Sequence, residues 1–110
     1  MSMQRCCPEA RVHDRDVTAE AGLFKALGDP ARAAIIATLA RAEDEVCVCD
    51  FTAGLDLNQS TVSHHLKLLK DAGLVTSVRR GTWGYYSLAP GARDRIAAAL
   101  RALLPEKVLT

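Results

Sequence analysis

The residues with the most distinctive chemistry in this 110-residue chain are its four cysteines. In "EVCVCD", Glu45 to Asp50, Cys47 and Cys49 stand one residue apart, and Cys6 and Cys7 are adjacent near the start. A free cysteine also packs as a small hydrophobe, so burial alone accounts for one of them. Two such pairs point instead to a site. Four cysteines in a secreted peptide would suggest a disulfide framework. Here the apolar helical segments can supply a core without one, and "MSMQRCCPEA" lacks the hydrophobic stretch of a signal peptide. No apolar run approaches the length of a membrane span. The expectation is a cytoplasmic protein whose thiols stay reduced and act as thiolates.

The elements that must position these thiols follow from composition and periodicity. Hydrophobic residues make up 49% but aromatics only 5%, so the core is expected from Ala, Leu, Val and Ile on closely packed helices. A chain this size is one small domain with a limited core, for which oligomerisation is a common remedy. Residues 1–16 are polar and unpatterned and read as a flexible arm carrying Cys6 and Cys7. Residues 17–104 read as the folded domain and 105–110 as a tail.

Thr18 offers a helix N-cap, followed by an apolar stripe at Leu23, Phe24 and Leu27. Asp29 caps the next helix with Pro30 at its first position, and Ile35, Ile36 and Leu39 mark the buried face. "VCVC" alternates like a short strand, and "DFTAGLDL" suggests a short helix weakened by Gly54. The clearest helix is "NQSTVSHHLKLLKDAGL". Its N-cap is Asn58, Leu57 and Val62 sit at staple positions, and Gly73 is the stop. "LVTSVRR", "GTW" and "GYYSL" read as strand, turn and strand. "GARDRIAAALRALL" closes the chain as a helix with Ile96, Leu100, Leu103 and Leu104 apolar.

A short helix turning into a longer one with a polar side, then a two-stranded hairpin, describes a winged helix-turn-helix. The fold class expected is mainly α with a β-hairpin wing (α+β). On the long helix Val62, His65, Leu66 and Leu69 take the core side. Gln59, Ser60, Thr61, Ser63, His64 and Lys67 present groups suited to base edges and phosphates. Arg79 and Arg80 flank the turn at Gly81 and would form the gripping wing. Net charge is only +1, but between Gln59 and Pro90 Asp71 is the sole acid against Lys67, Lys70, Arg79 and Arg80. The competing reading is an amphipathic helix with an ordinary solvated face. Adjacent helical residues point about 100° apart, so His64 and His65 do not share one metal. His64 suits a DNA contact, His65 a partly buried, hydrogen-bonded place.

"LFKALGDPARAAII", "QSTVSHHLKLLKDAGLV" and "RRGTWGYYSL", in that order, resemble the ArsR/SmtB family of metal-responsive bacterial repressors, closest to the arsenical-resistance operon repressors. The likeness runs from about Leu23 to Leu88. It implies a homodimer joined by its first and last helices, bound to an inverted repeat in double-stranded DNA and released by an inducer. The family often has a basic or amide residue after the wing glycine; here it is Thr82, which shifts weight to Arg79 and Arg80. "EVCVCDF" is similar to the family's E-L-C-V-C-D-L box, which implies Cys47 and Cys49 as inducer ligands.

Some arsenite sensors of the family add a third cysteine three positions on, where this chain has Thr52. The resemblance to cadmium and lead sensors, whose arm serves the box of the other subunit, then implies Cys6 and Cys7 as the further metal ligands. Thiolate-only ligation selects soft centres. Vicinal arm thiols resemble arsenite-responsive members, so As(III) or Sb(III) is the expected inducer, with Cd(II), Pb(II) or Zn(II) as the alternative. The family's other site, on the last helix, needs Asp-x-His. Here Asp94 is followed by Ile96 two residues on, so that site is absent.

Residues i and i+2 of an intact helix point about 200° apart, whereas in an extended segment they share a face. Joint chelation by Cys47 and Cys49 is therefore expected to favour extended or unwound backbone at the start of the helix-turn-helix. A redox sensor closing an arm-to-box disulfide is a second reading. A thiol enzyme is a poor third, with no C-x-x-C, no Gly-rich phosphate loop and no βαβ pattern. No membrane partner and no protein substrate is expected.

Overall fold

The computed structural model describes residues 15–105. Cys6 and Cys7 lie outside the described residues, as does the tail after Pro105. In chain order the elements are α1 (Thr18–Leu27), α2 (Pro30–Arg41), β1 (Val46–Cys47), α3 (Val48–Leu55), α4 (Gln59–Asp71), β2 (Val75–Arg80), β3 (Trp83–Leu88) and α5 (Ala92–Leu103). Among the described residues no helix is long and apolar enough to cross a membrane. The architecture is the winged helix-turn-helix expected from the sequence, α3 and α4 forming the helix pair.

Local chemistry sets most helix ends. Asp29 accepts the Ala31 amide with Pro30 at the first helical position. Asn58 Oδ1 accepts the Thr61 amide at 2.9 Å and the Ser60 hydroxyl at 3.1 Å. Side-chain caps of this kind contribute about 1 kcal/mol each. At the other end of α4, Gly73 adopts φ +78 while its amide reaches Lys70 O and the Leu74 amide reaches Leu69 O. These paired bonds are a Schellman ending, which only a residue at ease in the left-handed region closes without strain. The start of α1 departs from expectation. Thr18 is the first helical residue, not its cap, and Asp16 Oδ1 accepts both its amide and its hydroxyl.

The core is aliphatic, as the composition requires. Ile35, Val62, Leu66, Leu69, Leu74 and Val75 are completely enclosed, with Leu23, Leu39, Val48, Phe51, Ala92 and Ala99 around them. Each large side chain buried here contributes about 1.5–3 kcal/mol. Val62, Leu66 and Leu69 all belong to α4, so the helix is seated on one face and its opposite side stays in solvent. On α5 the expected apolar stripe divides. Ala92 and Ala99 are buried and Ile96 is half-buried, but Leu100, Leu103 and Leu104 are exposed. Small residues let α5 approach α1 closely, and the leucines face away from this chain's own core.

The hairpin is tighter than read from sequence. Arg80 pairs with Trp83, leaving Gly81 and Thr82 as the two loop residues, and Trp83 belongs to β3 rather than to the turn. Gly81 has φ +64, as primed two-residue hairpin turns demand. The sheet also has a third strand. β1 pairs antiparallel with β3, Val46 opposite Tyr86 and Cys47 opposite Tyr85, in the order β1-β3-β2. The expected four-residue strand "VCVC" stops halfway, since Val48 is buried as the first residue of α3 and Cys49 is helical. The wing sheet and the first helix of the motif thus meet at Cys47.

Candidate functional site

Cys47 ends β1 and caps α3. Its extended backbone (φ −71, ψ 144) turns the chain into the helix, and its Sγ accepts the Cys49 amide at 3.3 Å. The Cys49 thiol donates to the same sulfur, with the two Sγ atoms 2.6 Å apart. Cys47 is buried and Cys49 exposed, so the pair has one anchored and one open sulfur. The backbone at Cys47 is of the extended kind that joint chelation is expected to favour. The 200° argument holds for two interior helical positions. An N-cap residue is not helical, and its side chain folds back over the first turn. Two sulfurs on one metal stand about 3.7 Å apart in tetrahedral ligation.

The proximity has an electrostatic consequence. The hydrogen bond that Cys49 donates to Cys47 is the main cause raising the Cys49 pKa above its ordinary value, with burial and the neighbouring Asp50 carboxylate adding to it. Cys49 is therefore a protonated thiol at neutral pH. Thr52, at the position of the family's third cysteine, donates its hydroxyl to Val48 O at 3.1 Å and offers no soft donor. Among the described residues no group of three or more His, Cys, Asp or Glu side chains comes together to hold a metal. Cys47 and Cys49 fit a soft ligand as two donors of a larger set.

The recognition face comes next in the chain. Gln59, Ser60, Ser63, His64 and Lys67 are exposed along α4, and Thr61 is half-buried with its amide held by Asn58. His65 lies on the inner side, half-buried, its Nδ1 3.1 Å from Arg32 Nη1. A guanidinium only donates, so Nδ1 is the acceptor and the ring proton sits on Nε2. Arg32 Nε also donates to Ala26 O at 2.7 Å, which ties the end of α1 to α4. The partner in this brace was not legible in the sequence, because Arg32 and His65 stand 33 positions apart on different helices.

The cations of the face are engaged within the molecule. Lys67 pairs with Asp71 one helical turn on, at 3.0 Å, with both side chains largely exposed. Arg79 donates to Thr82 O at 3.3 Å across the turn. Arg80 forms an ion pair with Glu45 and lies over the Tyr85 ring, 5.4 Å from its centroid. Glu45 raises the Arg80 pKa further above an already high value. The sequence carries no sign that Glu45 lies at the wing, since only the β1–β3 pairing brings it there.

Comparisons with known proteins agree with this geometry. Residues 29–77, which span the helix-turn-helix, match the family described as "Bacterial regulatory protein, arsR family". The chain is 37% identical over 92 residues to the arsenic resistance transcriptional regulator ArsR1 of Pseudomonas putida, covering 84% of this chain and 71% of that protein. It is 38% identical over 78 residues to the cadmium resistance transcriptional regulatory protein CadC of Listeria innocua, covering 71% of this chain and 65% of that one. Among solved structures, a "possible transcriptional regulator for arsenical resistance" superposes with a TM-score of 0.67 at 27% identity, covering 74% of this chain and 83% of that one.

Proposed function

Because this chain belongs to the ArsR family of bacterial transcriptional repressors, DNA-binding regulators and not enzymes, we propose that it is an arsenite-responsive repressor whose inducer is held by Cys47 and Cys49. The observation that carries this reading is the sulfur pair at the cap of α3, one sulfur anchored and one open. Arsenous acid condenses with two thiols to give a dithiolate and two waters. A third thiol completes trigonal ligation, and the other cysteines of the chain are Cys6 and Cys7. Antimonite follows the same chemistry.

A chelate at this point loads two elements at once. Cys47 is hydrogen-bonded into the wing sheet through β1, and its sulfur caps the helix that leads into α4. Displacement of either changes how α4 and the wing fit an operator, for which a coupling of about 1–3 kcal/mol is typical. Gln59, Ser60, Thr61, Ser63, His64 and Lys67 read the major groove, and Arg79 and Arg80 grip phosphates. Leu100, Leu103 and Leu104 on α5 support a homodimer joined through α1 and α5, as does the buried Glu20 Oε1, which has no hydrogen-bond partner among the described residues.

A second reading, cadmium, lead or zinc as inducer, is favoured by the likeness to the cadmium resistance regulator. The deciding experiment is a gel shift on the promoter upstream of the chain's own gene, under full reduction. Arsenite is expected to release the DNA from the wild type and to leave Cys47→Ser and Cys49→Ser bound with unchanged affinity. Loss of DNA binding by the serine variants themselves would make the cysteines structural. Release by cadmium but not arsenite would select the second reading.

A further inference from the structure

Arg80 and Glu45 are 35 residues apart and meet because β1 joins the wing sheet. Three features make the meeting more than a chance surface contact. The Glu45 side chain is only 23% exposed against 58% for Arg80, so the carboxylate is the fixed partner and the guanidinium the mobile one. The backbone of Glu45 is itself held, its amide donating to Asp44 Oδ1 at 2.8 Å while the next residue, Val46, pairs with Tyr86. Below the guanidinium lies Tyr85, the central strand residue that pairs with Cys47 on one side and Val78 on the other.

A guanidinium in this position has two competing anions. It can stay on the sheet with Glu45 and the Tyr85 face, or leave them for a phosphate, to which it binds as a planar fork. We propose that Glu45 is a positioning residue of the wing, holding Arg80 against the sheet so that this ion pair must open before Arg80 grips DNA. Glu45 thereby sets the wing's affinity for phosphate from the residue just before the strand that carries Cys47. The inference rests on the reading of Arg80 as a phosphate contact and goes beyond it, assigning Glu45 a part that the thiol site and the recognition face leave open.

The test is equilibrium binding of the full reduced chain, without inducer, to a mixed-sequence DNA duplex, followed by fluorescence anisotropy over a series of salt concentrations. Wild type, Glu45→Gln, Arg80→Gln and the double variant are compared, with Glu43→Gln as a control for removal of a nearby exposed charge. Glu45→Gln is expected to tighten binding about two- to fivefold, the worth of a surface ion pair. It should also steepen the salt dependence by up to about one unit of log–log slope, as one more counterion-displacing contact does. A merely structural role does not move that slope. In the Arg80→Gln background the same substitution is expected to change nothing. Equal tightening in both backgrounds, or tightening by Glu43→Gln of the same size, would reduce the effect to general charge and overturn the proposal. If Arg80→Gln weakens binding and Glu45→Gln does not tighten it, the positioning role alone fails. If Arg80→Gln changes neither affinity nor slope, the phosphate contact and the positioning role fail together.

Discussion

The recognition helix and the wing present their functional groups in opposite states. On α4, Gln59, Ser63 and His64 stand exposed on a helix locked from beneath by Val62, Leu66 and Leu69 and braced by the Arg32–His65 contact. On the wing, both arginines are occupied, Arg79 with the turn carbonyl and Arg80 with Glu45. On the proposed reading, the reading surface is set before DNA arrives, whereas the gripping surface exchanges internal partners for phosphates. The thiols sit on the wing's side of this divide, since Cys47 is bonded into its sheet. We propose that the sheet is the adjustable region of the molecule and α4 the reference against which it adjusts.

The sharpest way to break the comparison is to loosen α4 from beneath. Leu66 is fully enclosed, so Leu66→Ala is expected to cost about 2–5 kcal/mol of stability, measured by urea unfolding. A loss under about 1 kcal/mol would mean that α4 is not firmly seated.

The second test uses the thiol pair. On the proposed reading cadmium would displace the protons of Cys47 and Cys49, and Cys49 keeps its proton to higher pH than an ordinary thiol because of its bond to Cys47. The sign follows directly. Acidification favours the protonated thiols and weakens cadmium binding, by about a hundredfold per pH unit for two protons lost. Arsenous acid releases water instead of protons, so its affinity is expected to stay nearly flat below the thiol pKa values. Isothermal titration in buffers of different pH distinguishes the two, and a flat cadmium profile would remove the thiols from its site.

His64→Ala sharpens the contrast between reading and gripping. It is expected to cost about 1–3 kcal/mol on the operator relative to mixed-sequence DNA, with little change in salt slope. Equal loss on both DNAs would place His64 among the phosphate contacts. Asn58→Ala removes the cap of α4 and is expected to lower stability by about 1 kcal/mol, read from the shift in the denaturation midpoint. Lys67→Gln gives the smallest effect, under about 0.5 kcal/mol of stability, because its pair with Asp71 is solvent-exposed.

How much was legible depends on the range of the interactions involved. Asn58, Asp29, Pro30 and Gly73 mark helix ends because a cap or a left-handed residue acts on amides and carbonyls within a few positions. The buried face of α4 was legible for the same reason, one helical period linking Val62, Leu66 and Leu69. Thr18 misled because Asp16, two residues earlier, takes both of its hydrogen-bonding groups. The α5 leucines read only as apolar, because an apolar side chain does not say against what it packs.

By itself, then, the order of residues determined the succession of helices and strands, the polar face of α4, and the presence of two soft donors ahead of it. These follow from rotation per residue, capping and side-chain chemistry, which act along the chain. Tertiary structure alone decided that Cys47 would end a strand and cap a helix, bringing its sulfur beside that of Cys49 without unwinding α3. It also decided that Glu45 would meet Arg80, and Arg32 would meet His65. Those contacts depend on β1 choosing β3 as its neighbour and on α1, α2 and α4 sharing one core. Such choices are settled by the packing of the whole domain, and no local pattern encodes them.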